Sequence, residues 1–249
     1  MNDETQAGNR KWWASALMVG GVIALVCLPL GALGTKLGLW QFTGGFILLA
    51  VGAVLAAAVF FLGLIAVVFT SIRRMAAERA SAAIGFVLSV VVLGVLGSQY
   101  MAGASVPAIH NITTDLANPP QFATLVAVRE AEGANPLELS EEVAAQHRSA
   151  YPQLKPLISP SSATDMFGQA LSVVEGMGMA VADANPTAGR IEATDETFWF
   201  GFKDDVVIRI RTQGSGSVVD VRSVSRVGQS DLGKNAQRIS EILDALAAR

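Results

Sequence analysis

The sequence predicts three N-terminal transmembrane helices followed by a soluble α+β domain, an antiparallel meander sheet with helices on one face. Three observations predict it. Of the 249 residues, 51% are hydrophobic and only 16% are charged, where ordinary soluble domains carry roughly 25% charged residues. The apolar excess lies in three uncharged stretches before residue 104. Beyond them, apolar positions recur with strand and helix periods, as in a folded soluble domain. This composition excludes a disordered chain and a basic nucleic-acid binder.

Residues 1–104 form the membrane domain. Its spans are expected at 12–33, 44–70 and 80–103, each long enough to cross a hydrocarbon core of about 30 Å. None contains Asp, Glu, Lys, Arg or His. Such groups mark proton relays and ion pathways inside membranes, so a transporter or channel is not expected. Small residues are frequent: Gly44, Gly45, Gly52, Ala53, Ala56 and Ala57 in the second span, and Gly85, Ser89, Gly94, Gly97 and Ser98 in the third. They allow helices to approach closely. Packing of the three helices on one another is expected ahead of a homo-oligomer or an envelope protein partner.

Charge sets the expected orientation. Arg10 and Lys11 precede the first span, and Arg73, Arg74 and Arg79 separate the second from the third. Lys36 alone occupies the other side. Basic residues stay cytoplasmic, which puts the N-terminus in the cytoplasm and the C-terminal domain outside the cytoplasmic membrane. Trp12, Trp13 and Trp40 lie near span ends, where amphipathic rings favour the interface. The first span also resembles a secretory signal ending near Gly31–Ala32–Leu33–Gly34. Its apolar core exceeds the usual length of about 7–15 residues, which favours an uncleaved helix. Cys27 is the only cysteine, so no intramolecular disulfide forms. Val26 before it argues against a lipoprotein.

Residues 105–249 form the second domain, with 12 basic and 18 acidic residues. An acidic domain is unsuited to phosphate backbones. Residues 105–136, with Pro107, Pro119, Pro120 and Pro136, read as a wrapping or linking segment, because paired prolines fit neither helix interiors nor central strands. Ser140 caps a short helix to Ser149, with Glu141 and Glu142 in its first turn. Ser162 and Asp165 start a second helix whose Met166, Ala170, Val173 and Met177 share one face. Four strands follow in a meander. They are Met179–Ala184, Gly189–Thr194, Phe198–Arg211 (bending near Gly201 and Asp204) and Val218–Arg226, with Gly214–Ser217 as the last hairpin turn. Ser230 or Asp231 caps the final helix, whose stripe is Leu232, Ala236, Ile239, Leu243 and Leu246. Two such helices cover one sheet face. The other face carries Arg190, Glu192, Arg209, Arg211, Asp220 and Arg222.

Five segments carry a resemblance: VPAIHNITTD (106–115), NPPQF (118–122), AYPQLKP (150–156), GRIEATDETFWFGFKDDVVIRIR (189–211) and DVRSVSRVGQSDLGKNAQRI (220–239). In these the chain resembles the bacterial domain-of-unknown-function family 1499, over most of residues 106–246. Position 111, often Asp in that family, is Asn here. The resemblance implies a membrane-attached envelope domain with no assigned reaction.

The polar segment 220–235 is the most suggestive for chemistry. Asp220, Arg222, Arg226, Asp231 and Asn235 are expected to converge where the last strand hands over to the last helix. With Asp115, Arg209 and Arg211 they are the candidate ligand-binding residues, since helix N-termini and guanidinium forks hold anions. The alternative is an internal polar network, with Asp220 paired to Arg222 and Asp231 capping the helix. Thr113–Thr114–Asp115, near His110, reads as a turn. His110 and His147 are the only histidines and lack ligand spacing. Asp195–Glu196 and Asp204–Asp205 read as solvated turns. The aromatic run Phe198, Trp199, Phe200 and Phe202 fits sheet core better than a lipid groove. No nucleophile elbow, zinc, phosphate-loop or dinucleotide motif is present, so no metal or cofactor is expected. The sequence therefore favours a membrane-anchored binding domain over an envelope hydrolase built on Asp115, Asp220 and Asp231, or a lipid-binding module.

Overall fold

The computed structural model describes residues 11–248. Arg10, used above for orientation, lies outside them. The described residues divide into two compact units, one formed by residues up to Met101 together with Trp199–Gly201 and the other by 102–198 and 202–248.

The first unit is three helices: α1 (Trp12–Lys36), α2 (Phe42–Ile72) and α3 (Ala76–Ala104). At 25, 31 and 29 residues, and about 1.5 Å of rise per residue, each exceeds the hydrocarbon thickness. All three are long and apolar enough to cross a membrane. Ala24, Ala56 and Val92 meet at the bundle centre. Glycines set the close approaches. A Cβ on Gly45 would lie 2.6 Å from the Gly31 carbonyl, and one on Gly85 would collide with the Leu17 carbonyl. These small residues thus serve packing within the chain, whereas a Cβ on Gly94 or Gly97 would meet nothing within 4 Å.

The second unit is α+β. Its elements are β1 (Asn111–Thr113), α4 (Thr124–Glu132), α5 (Glu141–Ala150), β2 (Leu157–Ser159), α6 (Ala163–Gly176), β3 (Ala180–Asn185), β4 (Arg190–Glu196), β5 (Lys203–Gln213), β6 (Gly216–Ser225) and α7 (Lys234–Ala247). The antiparallel sheet runs β1-β6-β5-β4-β3, with β2 also paired to β6. The four-strand meander is present, and two short strands extend it. β1 pairs with residues 222–224 of β6 and β2 with 217–219, so both share one edge. At three residues each, they are too short to show a periodic pattern.

One sheet face packs on α6 and α7. Ile191, Val206, Ile208, Val219 and Val221 meet Met166, Ala170, Val173, Ala236, Ile239 and Ile242. Ser140 and Ser162 cap α5 and α6 as expected, accepting from Val143 and Asp165 N–H. Ile242 joins the α7 stripe as a fully buried member, Leu243 packs half-buried against the same core, and Leu232 is exposed before the helix begins.

The opposite face is not the open polar surface that the alternation suggests. Residues 115–137, which include α4, cover it, and Phe122, Leu125, Val207 and Val224 form a second small core there. Further differences follow. Residues 197–202 form a loop, not a strand start. It closes through Thr197 N–H to the Phe202 carbonyl (2.8 Å) and Phe202 N–H to Thr197 Oγ1 (2.9 Å). Asp195, Asp204 and Asp205 are not solvated turn residues, because each receives an arginine from a helix.

Candidate functional site

The candidate residues separate into three groups and a cleft. In the first group, Arg209 Nη2 donates to Asp115 Oδ2 (3.0 Å) and Asp220 Oδ2 (2.9 Å), while Arg211 Nη2 also reaches Asp220 Oδ2 (2.8 Å). β5 and β6 set this pairing by register, with Arg209 opposite Asp220. Asp220 is fully buried, and its Oδ1 has no partner among the described residues. Asp115 also holds its own turn, accepting from Ala117 and Asn118 N–H. Asp220 thus pairs with Arg209 and Arg211, not with Arg222.

Arg226 belongs to a second group under α4. It donates to both oxygens of Asp205 (2.9 and 2.8 Å), to Glu132 (2.7 Å) and to Thr194 Oγ1 (3.1 Å). Arg129 of α4 reaches the same Asp205 at 2.6 Å. Burial pushes the Asp205 carboxyl up, but hydrogen bonds from Arg226, Thr194 and Arg129 outweigh it and hold the pKa below its ordinary value. The hydrogen bond from Arg226 likewise lowers Glu132. These are the bonds of an ion network that fastens α4 to the sheet.

Asp231 and Asn235 form the third group, at the head of α7. Asp231 accepts from Gly233 N–H (2.8 Å) and Asn235 N–H (2.9 Å), two of the helix's free donors. Burial pushes its pKa up against those bonds. Asn235 joins Ser223, Ser225, Arg238 and the His110 carbonyl. Asp231 N–H bonds Ile109, before β1, whereas Asp115 lies beyond the other end of that strand. The structure therefore joins Asp115 with Asp220 through Arg209 and holds Asp231 in a different network.

Arg222 stands apart. It is 2% exposed. Its Nε donates to Asn111 Oδ1 (3.1 Å), Nη1 to the Pro120 carbonyl (3.1 Å) and Nη2 to the Leu137 carbonyl. Its guanidinium also lies 5.9 Å from the Phe122 ring centre. Burial, and then the charge of Arg129, push its pKa down to about 10, so it stays protonated at neutral pH. Arg222 lines a cleft of about 390 Å³ between the wrapping segment and α5, together with Leu116, Pro119, Leu137, Glu138 and Glu141.

Sequence reasoning missed three participants. Glu192, fully buried, accepts from Ala123, Thr124 and Leu125 N–H at 2.8, 3.1 and 2.9 Å. A β4 carboxylate thus caps α4. His147 is buried, and its Nε2 accepts the Thr113 N–H at 3.2 Å. Burial lowers its pKa. Arg129 gave no local signal, because its partners are 76 or more residues away, apart from the Asn135 carbonyl. Among the described residues, no group of three or more His, Cys, Asp or Glu could hold a metal ion.

A comparison with curated proteins found no match. The profile of one family, described as Protein of unknown function (DUF1499), matches residues 111–246, from β1 to the last turns of α7 and across all three polar groups. On that match the chain belongs to the DUF1499 family.

Proposed function

We propose that this is a non-enzymatic envelope protein. Its three helices anchor it in the cytoplasmic membrane, and its α+β domain binds a small ligand or partner on the outer side. The observation that carries the binding role is the cleft of about 390 Å³ lined by Leu116, Pro119 and Arg222. Its volume is in the range of ligand sites. The eight candidate residues are proposed to act in two ways. Arg222 faces the ligand. Asp115, Arg209, Arg211, Asp220, Arg226, Asp231 and Asn235 hold the wrapping segment and the head of α7 in the shape that forms the cleft. The ion pairs of Arg209 and Arg226 support this division, since their guanidinium groups are already matched by carboxylates.

Orientation is supported by Lys11, Arg73, Arg74 and Arg79 on one side of the spans against Lys36 on the other. Two measurements test the proposal. A C-terminal reporter active only outside the cytoplasm is expected; activity only inside would overturn the topology. Ala117, an exposed residue lining the cleft, is the site for a blocking change. Ala117→Trp should leave the fold intact and abolish ligand capture. Unchanged capture would move the binding site elsewhere.

A further inference from the structure

Six of the seven arginines on the sheet and on α4 and α7 within this domain have a carboxylate within ion-pair distance. Arg129, Arg226 and Arg238, the buried ones, reach their closest at 2.6, 2.7 and 2.5 Å. Arg190, Arg209 and Arg211 are also paired. Arg222 is the exception among the described residues. It is as buried as Arg129, yet its three hydrogen bonds end on an amide oxygen and two backbone carbonyls. A buried charge without a countercharge is costly, and a domain that pairs its other buried arginines leaves this one open at the wall of its cleft.

The donor count agrees. A guanidinium has five N–H groups. Three are used, leaving one on each terminal nitrogen. Carboxylates engage such N–H pairs in charge-assisted bonds. The remaining lining sets the class of anion. Glu138 and Glu141 lie exposed at the rim, and their charge disfavours a dianion such as phosphate. Leu116, Pro119, Leu137 and Leu139 supply apolar wall.

We propose that the cleft binds a small organic carboxylate, a monoanion with an apolar body, whose carboxylate neutralises Arg222. The proposal rests on the cleft being the ligand site and specifies what that ligand carries. Asn111 offers the sharpest test, because its Oδ1 already touches Arg222 Nε. Asn111→Asp would place a carboxylate of the protein's own at that position and satisfy the arginine internally.

The test is calorimetric titration of the full-length protein in detergent micelles with benzoate, its neutral counterpart benzyl alcohol, and inorganic phosphate. Benzoate should bind about tenfold or more tighter than benzyl alcohol, the factor expected for a charge-assisted hydrogen bond. Phosphate should not compete. Asn111→Asp should remove the preference for benzoate, and Ala117→Trp should block both aromatic probes. Equal binding of benzoate and benzyl alcohol, both blocked by Ala117→Trp, would overturn the role of Arg222 and leave the cleft as a neutral site. Preferred phosphate binding would overturn the carboxylate. Benzoate preference surviving in Asn111→Asp would overturn the assignment to Arg222. Absence of binding by any probe would overturn both the carboxylate and the cleft.

Discussion

Asp204 and Asp205 are neighbours on β5, yet they serve opposite faces of the sheet. Asp204 receives Arg238 of α7 at 2.8 Å, and Asp205 receives Arg129 of α4 at 2.6 Å. Strand alternation sends adjacent side chains to opposite faces, so one acidic dipeptide fastens a helix to each side. Both carboxylates are buried. Their energetic weight differs, because Arg238 has a second carboxylate in Asp195, whereas Arg129 has no carboxylate besides Asp205 among the described residues, and Asp205 also shares Arg226 with Glu132.

Asp205→Asn should therefore cost about 3–5 kcal/mol, the usual loss on breaking a buried ion pair. Asp204→Asn should cost less, about 1–3 kcal/mol, because Asp195 still faces Arg238. Urea unfolding midpoints of the two full-length variants check the order. Equal loss would mean that Asp195 gives Arg238 no support.

Glu192→Gln should loosen α4 without touching the main core. Three N–H donors at the helix start would lose their carboxylate, which should cost about 1–3 kcal/mol. Hydrogen exchange at Ala123, Thr124 and Leu125 should accelerate, while exchange at Ile239 and Ile242 of α7 stays slow.

The pH dependence of stability should show His147. Its folded pKa is depressed by burial below the ordinary 6.5. As pH falls below about 6.5 the unfolded chain binds a proton that the native state resists. The contribution of this group is therefore full above that value and is lost as pH falls through the folded pKa. Unfolding midpoints should fall as pH drops below about 6.5, and His147→Gln should flatten the slope.

In the membrane unit, Gly85→Val should destabilise the bundle and Gly97→Val should not. A Cβ at 85 meets α1 backbone, whereas one at 97 meets open space. Thermal stability of the purified proteins in micelles distinguishes the two. Sensitivity at Gly97 would instead indicate a helix partner outside the chain.

Much of this fold was readable because its signals are local. The three spans announce themselves through uncharged length, α6 through Ser162 and a regular stripe, and β5–β6 through alternation around Gly214. What escaped depends on partners distant in sequence. Arg190, Glu192, Asp220 and Arg222 read as a wet face because charge in a strand usually means solvent. Glu192, Asp220 and Arg222 are buried, and Arg190 is half-buried, because residues 115–137 return over that face, and the prolines that mark that segment as irregular hide α4. The candidate residues were singled out as polar and mostly clustered in sequence. Their division into three networks was not readable, since Arg209 sorts with Asp115 and Arg226 with Glu132, each 94 residues away.

The pairing of β1 and β2 with β6 has a consequence for synthesis. Asn111 ends up opposite Val224, more than a hundred residues later in the chain. Among the described elements only α7 follows β6, so both of its short edge partners must wait, unpaired, until it emerges. Such non-local closure is slow and leaves strand edges exposed while the chain is incomplete. The proline-rich stretches around β1 and β2 are poor substrates for wrong strand pairing. Wrong pairing is thereby disfavoured in both early segments until the late hairpin is there to receive them.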